Sequence, residues 1–229
     1  MGSEAIDIIQ YPSGNFGPRR ENARPSLVVI HYTAMSDAQS ALDTLCNPNT
    51  EVSAHYLIAA DGRVFQMVDE AARAWHAGAG RWGDITDVNS HSIGIELDNK
   101  GDHGFSEPLM ASLELLLEGV LKRWDIKPKG VIAHSDLAPQ RKIDPGKRFD
   151  WARLAKRDLA LWPDDKISTE EWAQSARTFG YPLDCDPDPE KANNLCFQAF
   201  RSRFCPWKTG AEDAEDRRIM ARLVAQATS

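Results

Sequence analysis

The chain has 229 residues, enough for one domain with its own hydrophobic core or for a main domain with a small addition. Its 27 basic and 34 acidic residues give a net charge of −7, so we expect no nucleic-acid partner. Hydrophobic residues make up 42% of the chain, yet no apolar run is long enough to predict a transmembrane segment.

The apolar pattern predicts strands and helices mixed along the first 160 residues. After an irregular arm at 1–26, β-type runs predict strands at 27–31, 52–59, 63–68, 92–97 and 131–134. Helical spacing predicts helices at 38–46, 106–124 and 149–161. We therefore expect an α/β (mixed α+β) fold with a central mixed β-sheet covered by helices.

A break at Trp-Pro-Asp-Asp, residues 162–165, separates this region from the rest of the chain. Beyond it, short helical patterns predict helices at about 169–178, 189–203 and 212–226, the first with a possible capping box of Ser168 and Glu171. We expect a main domain at 1–162 and a small three-helix domain at 163–229.

The cysteine pattern and the N-terminal composition are used to predict the cellular compartment of the protein. Four cysteines, at 46, 185, 196 and 205, contain no Cys-x-x-Cys pair, so free thiols in a reducing compartment are the default. Residues 1–26 contain no apolar run typical of a signal peptide. We expect a cytoplasmic protein, or a periplasmic one if a leader has been removed, in which case two of the late cysteines could pair.

Two predicted strand ends carry histidines, and a later loop carries an aspartate. His31 follows Leu-Val-Val-Ile, His134 follows Val-Ile-Ala, and Asp144 lies ten positions further on, where Pro145 and Gly146 favour a loop that doubles back. Imidazole nitrogens and carboxylate oxygens bind Zn²⁺, and three protein ligands leave a fourth position for water. The three residues together predict an open, catalytic zinc site, although each alone is more often structural.

Five segments strengthen this interpretation because they occur in a characteristic order. They are LVVIHYTA (27–34), VSAHYLIAADGRVFQMV (52–68), AWHAG (74–78), NSHSIGIELDN (89–99) and AHSDLAPQRKIDPG (133–146). In this order they resemble the zinc-dependent N-acetylmuramoyl-L-alanine amidases, and more closely the bacterial branch that recycles or trims muramyl peptides. The resemblance spans about residues 15–160.

The resemblance implies an activity and roles for single residues. The expected enzyme hydrolyses the amide bond between N-acetylmuramic acid, or its 1,6-anhydro form, and L-alanine of the stem peptide in muropeptide or peptidoglycan. His31, His134 and Asp144 match the metal ligands, Glu96 the general base and Lys142 the residue that stabilises the tetrahedral oxyanion. The alternatives are a structural ion pair for Glu96 and an ordinary surface position for Lys142.

Other residues of the matching segments are candidates for substrate contacts. Trp75 and His76 lie in a glycine-rich loop, where an indole face can pack on a sugar ring, and Arg81 and Asn89 are candidates for the same cleft. For His76, packing within the loop is the alternative. His55 is expected in a core or supporting position.

Position 54 separates this chain from other relatives. Phage lysozyme-type amidases and animal peptidoglycan recognition proteins have a catalytic tyrosine before the histidine of the second motif, whereas this chain has Ala54. Those relatives also use a cysteine as third ligand where this chain has Asp144. The resemblance is therefore to the bacterial branch, without the tyrosine mechanism.

The C-terminal part resembles a three-helix peptidoglycan-binding module in FGYPLD (179–184), AFRSRF (199–204) and GAED (210–213). It departs from that module at Arg201, where Gln is usual, and at Asp216, where Thr is common. Glycan binding and packing against the catalytic domain both stay open. The alternative function is a non-catalytic peptidoglycan-fragment binder on the same scaffold, and we expect a monomer.

Overall fold

The computed structural model describes residues 6–163 and 172–228. The strands are β1 (Ile8–Gln10), β2 (Phe16–Gly17), β3 (Leu27–Tyr32), β4 (Tyr56–Ile58), β5 (Val64–Gln66), β6 (Arg73–Ala74), β7 (Ser92–Leu97) and β8 (Val131–Ala133). The helices are α1 (Ala38–Leu45), α2 (Val88–His91), α3 (Glu107–Trp124), α4 (His134–Leu137), α5 (Trp151–Ala155), α6 (Trp172–Phe179), α7 (Pro189–Phe204) and α8 (Ala214–Thr228).

Among the described residues, six strands form one mixed sheet in the order β1-β5-β4-β7-β3-β8. Strand β3 lies between β7 and β8 and is parallel to both, and β4 is parallel to β7 on its other side. The hairpin partner β5 runs antiparallel to β4. Because β3, β7 and β8 are parallel, their carboxyl ends meet at one edge of the sheet.

Side chains along each strand point alternately to the two faces of the sheet. Val28 and Ile30 of β3 pack with α3, whereas Leu27 and Val29 pack on the opposite face. Successive residues of a strand point to opposite faces, so His31 shares the face of Val29. On that face, α1 covers the β4–β5 side and the C-terminal helices cover the β3–β8 side. Polar side chains lie between these two covers.

The C-terminal helices share a hydrophobic core with the sheet. Trp172, Phe200 and Leu223, one from each of α6, α7 and α8, belong to the same buried cluster as Val29 and Ile132 of the sheet. The aromatic residues of α6 and α7 are therefore core residues, which is the packing alternative of the sequence analysis. The boundary at 162 stays a prediction, and the capping box predicted for Ser168 and Glu171 lies outside the described residues.

The structure corrects three boundaries. Strands β4 and β5 are three residues each, shorter than the predicted 52–59 and 63–68. The helix predicted at 149–161 is only α5, because Asp158 adopts the left-handed conformation with φ of 57°. His134 begins the short helix α4 rather than a polar loop. In the part of the chain that the structure describes, no helix has the length and apolar character that crossing a bilayer requires.

Candidate metal centre and active site

Three predicted ligands meet at the carboxyl edge of the sheet. His31 is the penultimate residue of β3, and His134 follows β8 directly. The loop after α4 returns Asp144 to them, and the Ser135 amide donates a hydrogen bond to the Asp144 carbonyl at 3.0 Å. His31 Nδ1 lies 2.9 Å from His134 Nδ1 and 3.1 Å from Asp144 Oδ2, and His134 Nδ1 lies 3.0 Å from that oxygen.

The outer hydrogen bonds of His134 fix which ring nitrogen carries its proton. Its Nε2 lies 3.0 Å from the Ala77 carbonyl, which can only accept, so Nε2 donates. The guanidinium of Arg141 also donates to this carbonyl and thereby supports the loop. In the neutral ring, Nδ1 therefore carries a lone pair and faces the other two ligands.

A chain of hydrogen bonds fixes the tautomer of His31 in the same way. The Ser92 hydroxyl donates to the Val88 carbonyl at 2.6 Å, so its oxygen accepts from His76 Nε2 at 3.2 Å. Burial lowers the pKa of His76 well below its usual value, so the neutral ring has an unprotonated Nδ1. That atom lies 3.0 Å from His31 Nε2, which must donate. His31 Nδ1 therefore also carries a lone pair.

The charge states agree with a cation-binding site. Burial, and then the charge of His134, lowers the pKa of His31 to about 4, so this ring is neutral at pH 7. The Asp144 carboxylate places its Oδ2 within 3.1 Å of both Nδ1 atoms. Three lone pairs about 3 Å apart without a proton between them repel one another, and a cation removes that repulsion. The spacing is close to the ~3.3 Å ligand separation of a tetrahedral site with ~2.0 Å bonds, so these residues fit zinc.

Glu96 lies beside this cluster. It is the register partner of His31 in the parallel pair β3–β7, so both side chains point to the same face. Its Oε2 is buried and has no hydrogen-bond partner among the described residues. Burial, and then the charge of Asp144, raises the pKa of Glu96 to about 8, against the opposing charge of Lys142. An unpartnered carboxyl oxygen at this position is suited to proton transfer rather than to structural pairing.

A cavity of about 350 Å³ opens over the cluster. The predicted site residues that line it are His31, Trp75, His76, Glu96, His134, Lys142 and Asp144. Lys142 is half-buried and forms no ion pair within the described ranges, so its charge is available to a bound group. The structure thus brings together all five residues that the resemblance marks as ligands and catalytic groups.

Two predicted substrate contacts lie outside the cavity lining. Arg81 pairs with Asp184 of the C-terminal part. The Asn89 amide oxygen accepts hydrogen bonds from the backbone of His76 at 3.1 Å and of Ala77 at 2.8 Å, so Asn89 holds the loop in place. The structure therefore provides supporting roles for both side chains and does not place them against a substrate.

His55 and Gly94 show how closely the loop packs behind the ligands. The Gly94 amide donates to His55 Nδ1 at 2.9 Å, and burial, followed by the charge of Arg19, lowers the pKa of His55 to about 3. A Cβ atom on Gly94 would lie only 2.4 Å from the His76 ring, so glycine is required there. His55 has the supporting role that the sequence analysis expected.

Sequence reasoning missed the apolar rim of the cavity. Val52 and Ile143 line the cavity with 40% and 73% of their surface exposed. Large apolar side chains that are exposed at a cavity can contact a ligand. The signal for Ile143 was present, since an apolar residue stands between Lys142 and Asp144 in a polar loop.

The fold and a cluster of three candidate metal ligands below a cavity are typical of a metal-dependent hydrolase. The sequence pattern of the N-acetylmuramoyl-L-alanine amidase family matches residues 21–147. The chain belongs to this family, which confirms the resemblance, the amidase class and the mixed α/β fold predicted from the sequence.

Relatives of known identity agree with this assignment. N-acetylmuramoyl-L-alanine amidase AmiD of Escherichia coli is 34% identical, with 88% of this chain and 83% of AmiD covered. The 1,6-anhydro-N-acetylmuramyl-L-alanine amidase AmpD of Haemophilus influenzae is 34% identical, with 64% of this chain and 90% of AmpD covered. A structure of E. coli AmiD with the substrate anhydro-N-acetylmuramic acid-L-Ala-D-gamma-Glu-L-Lys has a TM-score of 0.81 at 33% identity and covers 91% of each chain.

Proposed function

We propose that this chain is a zinc-dependent amidase that cleaves N-acetylmuramic acid, or its 1,6-anhydro form, from L-alanine of the stem peptide. The observation that carries the proposal is the meeting of three unprotonated donor atoms at one point below a cavity, 2.9–3.1 Å apart. The substrate bound to AmiD supports the choice of bond, because it joins anhydro-N-acetylmuramic acid to L-Ala.

His31, His134 and Asp144 would hold the zinc ion through Nδ1, Nδ1 and Oδ2. When bound, zinc supplies Lewis acidity, which polarises the scissile carbonyl and lowers the pKa of water to near ~7. Three protein ligands leave a coordination position for the reacting groups. The hydrogen bonds to Ala77 and His76 keep both ring nitrogens unprotonated on the side where the ion binds.

Glu96 acts as the general base in this proposal. Its free oxygen accepts a proton from the attacking water, and the same carboxyl group then delivers that proton to the nitrogen of the leaving L-alanine. Ionisation is needed first, and a positive charge at the neighbouring ligand cluster lowers the raised pKa of Glu96 toward neutrality.

Lys142 and the cavity wall complete the proposed site. The ammonium of Lys142, which has no carboxylate partner in the described chain, stabilises the negative oxygen of the tetrahedral intermediate. Trp75, Val52 and Ile143 offer apolar surface to the sugar and the peptide. His76 can contact a substrate only through ring carbon atoms, because both its nitrogens are engaged.

The test is digestion of anhydro-N-acetylmuramic acid-L-Ala-D-γ-Glu-L-Lys with the purified protein. We expect release of the free tripeptide, measured by mass spectrometry, and one zinc per chain by elemental analysis. Glu96→Ala should reduce release by about 10³-fold with zinc retained. The control is Glu118→Ala, which removes an exposed carboxylate on α3 and should leave both measurements unchanged.

Two results would contradict the proposal. Turnover that persists in Glu96→Ala would refute the assigned base. Tight binding of the muropeptide without release by the zinc-loaded wild type would instead support the non-catalytic binder.

Further properties of the protein belong to the same proposal. We propose a catalytic part at 1–162, a helical part at 163–229 and a monomer, which light scattering can test. For the compartment we propose the cytoplasm, or the periplasm if a leader precedes the chain, and fractionation of the source cells decides between them. Comparing cleavage of the soluble substrate with that of insoluble wall tests which form is preferred.

A further inference from the structure

The short helix that carries His134 is held by a buried carboxylate. Asp136 lies two positions after His134 and is completely buried. It accepts hydrogen bonds from the Ala133 amide at 2.9 Å and from the Tyr181 hydroxyl at 2.9 Å, and it pairs with the guanidinium of Arg203. Two of these partners come from the C-terminal part of the chain, outside the amidase motifs.

Arg203 holds the chain on both sides of His134. One nitrogen of its guanidinium pairs with Asp136, and the other donates to the Val131 carbonyl at 2.8 Å. The guanidinium carbon also lies 4.2 Å from the centre of the Trp151 ring. Arg203 is therefore bonded three positions before His134 and two positions after it, and it is only 2% exposed.

The bonds of Arg203 to both sides of His134 fix the direction in which the His134 ring points. The strand end and the start of α4 meet at His134, so a shift of either segment moves its ring relative to His31 and Asp144. Residues that orient metal ligands influence metal affinity even without touching the metal. Removing one partner of a buried ion pair also destabilises the protein, because the remaining charge stays buried.

We propose that Arg203, with Asp136 and Tyr181, is a positioning residue for His134, so that the C-terminal helices complete the hydrolytic site. The inference rests on the proposed role of His134 as a zinc ligand. It gives the helical part a function that does not require glycan binding.

The same helix offers a matched control. Arg201 is 4% exposed and pairs with the completely buried Asp216, with nitrogen–oxygen distances of 3.2 and 2.6 Å. Its guanidinium lies 4.3 Å from the centre of the Phe197 ring, much as Arg203 stacks on Trp151. Among the described residues, the partners of Arg201 lie within the C-terminal part and include the carbonyls of Gly210 and Ala211 at 2.7 and 2.9 Å.

The experiment compares Arg203→Met with Arg201→Met in the full chain. Both variants should lose stability in urea unfolding, since each removes the guanidinium partner of a buried aspartate. Arg203→Met alone should weaken zinc binding by about 10-fold in chelator competition and lower kcat more than it changes KM. With saturating Co²⁺, its visible absorption spectrum should differ from that of wild type, whereas the spectrum of Arg201→Met should not.

Tyr181→Phe keeps the test decisive if Arg203→Met does not fold. It removes one hydroxyl from Asp136 and should weaken zinc binding in the same direction, by a smaller factor. Wild-type zinc affinity and cobalt spectrum in folded Arg203→Met, or in Tyr181→Phe when Arg203→Met does not fold, would overturn the inference. An equal loss of zinc affinity in Arg201→Met would also overturn it. If the wild type itself binds no zinc or releases no peptide, the proposed function fails instead.

Discussion

Glu70 and Glu96 show how differently this fold treats two carboxylates. Glu70, beside the end of α3, accepts hydrogen bonds from the Tyr56 hydroxyl at 2.7 Å, from Trp124 Nε1 at 2.7 Å and from Arg123 at 3.0 and 2.5 Å. Glu96, beside the ligand cluster, has an oxygen with no partner in the described chain. The first carboxylate is fully paired and the second is not.

The two environments shift the pKa values in opposite directions. Burial would raise the pKa of Glu70, but hydrogen bonds from Arg123, Tyr56 and Trp124 outweigh it and lower the pKa. Burial dominates at Glu96 and raises its pKa to about 8. The difference separates a carboxylate that stabilises the fold from one that costs stability and is available for chemistry.

The largest expected change in stability follows from Glu70→Gln. The amide cannot pair with Arg123 as a carboxylate does, so the free energy of unfolding should fall by about 2–3 kcal/mol at pH 7. Because folding lowers the pKa of Glu70, this difference should begin to shrink as the pH falls below about 4.5 and should be lost once the pH falls below the lowered pKa of the folded state. Urea unfolding at several pH values measures it. Loss of activity in the folded variant would contradict the contrast drawn between Glu70 and Glu96, since Glu70 would then not be purely structural.

Glu96→Gln should have the opposite effect on the metal-free protein. Between pH 4.5 and about 8 the folded protein keeps a proton on Glu96 that the unfolded chain has lost, so stability falls as pH rises. The slope from this group is at most about 1.4 kcal/mol per pH unit. The variant should lack this slope and be more stable than wild type at pH 8. A variant that is less stable at pH 8 would show that the carboxylate has a structural partner.

Lys142→Met tests the cationic group that lines the same cavity as Glu96. Removing a group that stabilises the oxyanion typically costs about 10²-fold in kcat. Zinc affinity should stay at the wild-type value, because Lys142 is not one of the three donors. Lys147→Met, which removes an exposed lysine of the same loop, is the control, and a similar kcat loss there would argue for a general charge effect.

The smallest effect concerns the hydrogen-bond chain behind His31. Ser92→Ala removes the acceptor for His76 Nε2, so the tautomers of His76 and His31 are no longer fixed. We expect about 10-fold weaker zinc binding in chelator competition. Ser112→Ala is the control, since its hydroxyl donates to the Gly62 carbonyl far from the site. Unchanged zinc binding in Ser92→Ala would show that the ring orientation is set by packing alone.

Much of the site could be predicted from the sequence because the residues next to each functional side chain indicate where that side chain lies. Apolar runs that end in His31 and His134 predict strand ends, and strand ends of a parallel sheet meet at one edge. The apolar alternation around Glu96 predicts a buried carboxylate, which is costly without a role. The order of the five segments then indicates the amidase family, and the family match at 21–147 confirms it.

Tertiary structure decided which polar side chains face the cavity and which support it. Arg81 and Asn89 have the composition of substrate contacts, but they pair with Asp184 and with the loop backbone. Arg203 and Asp136 are 67 positions apart and carry no shared motif, yet their charges are buried together around His134. Periodicity reports which side of an element is buried, whereas the partner of a buried charge depends on long-range packing that no local pattern contains.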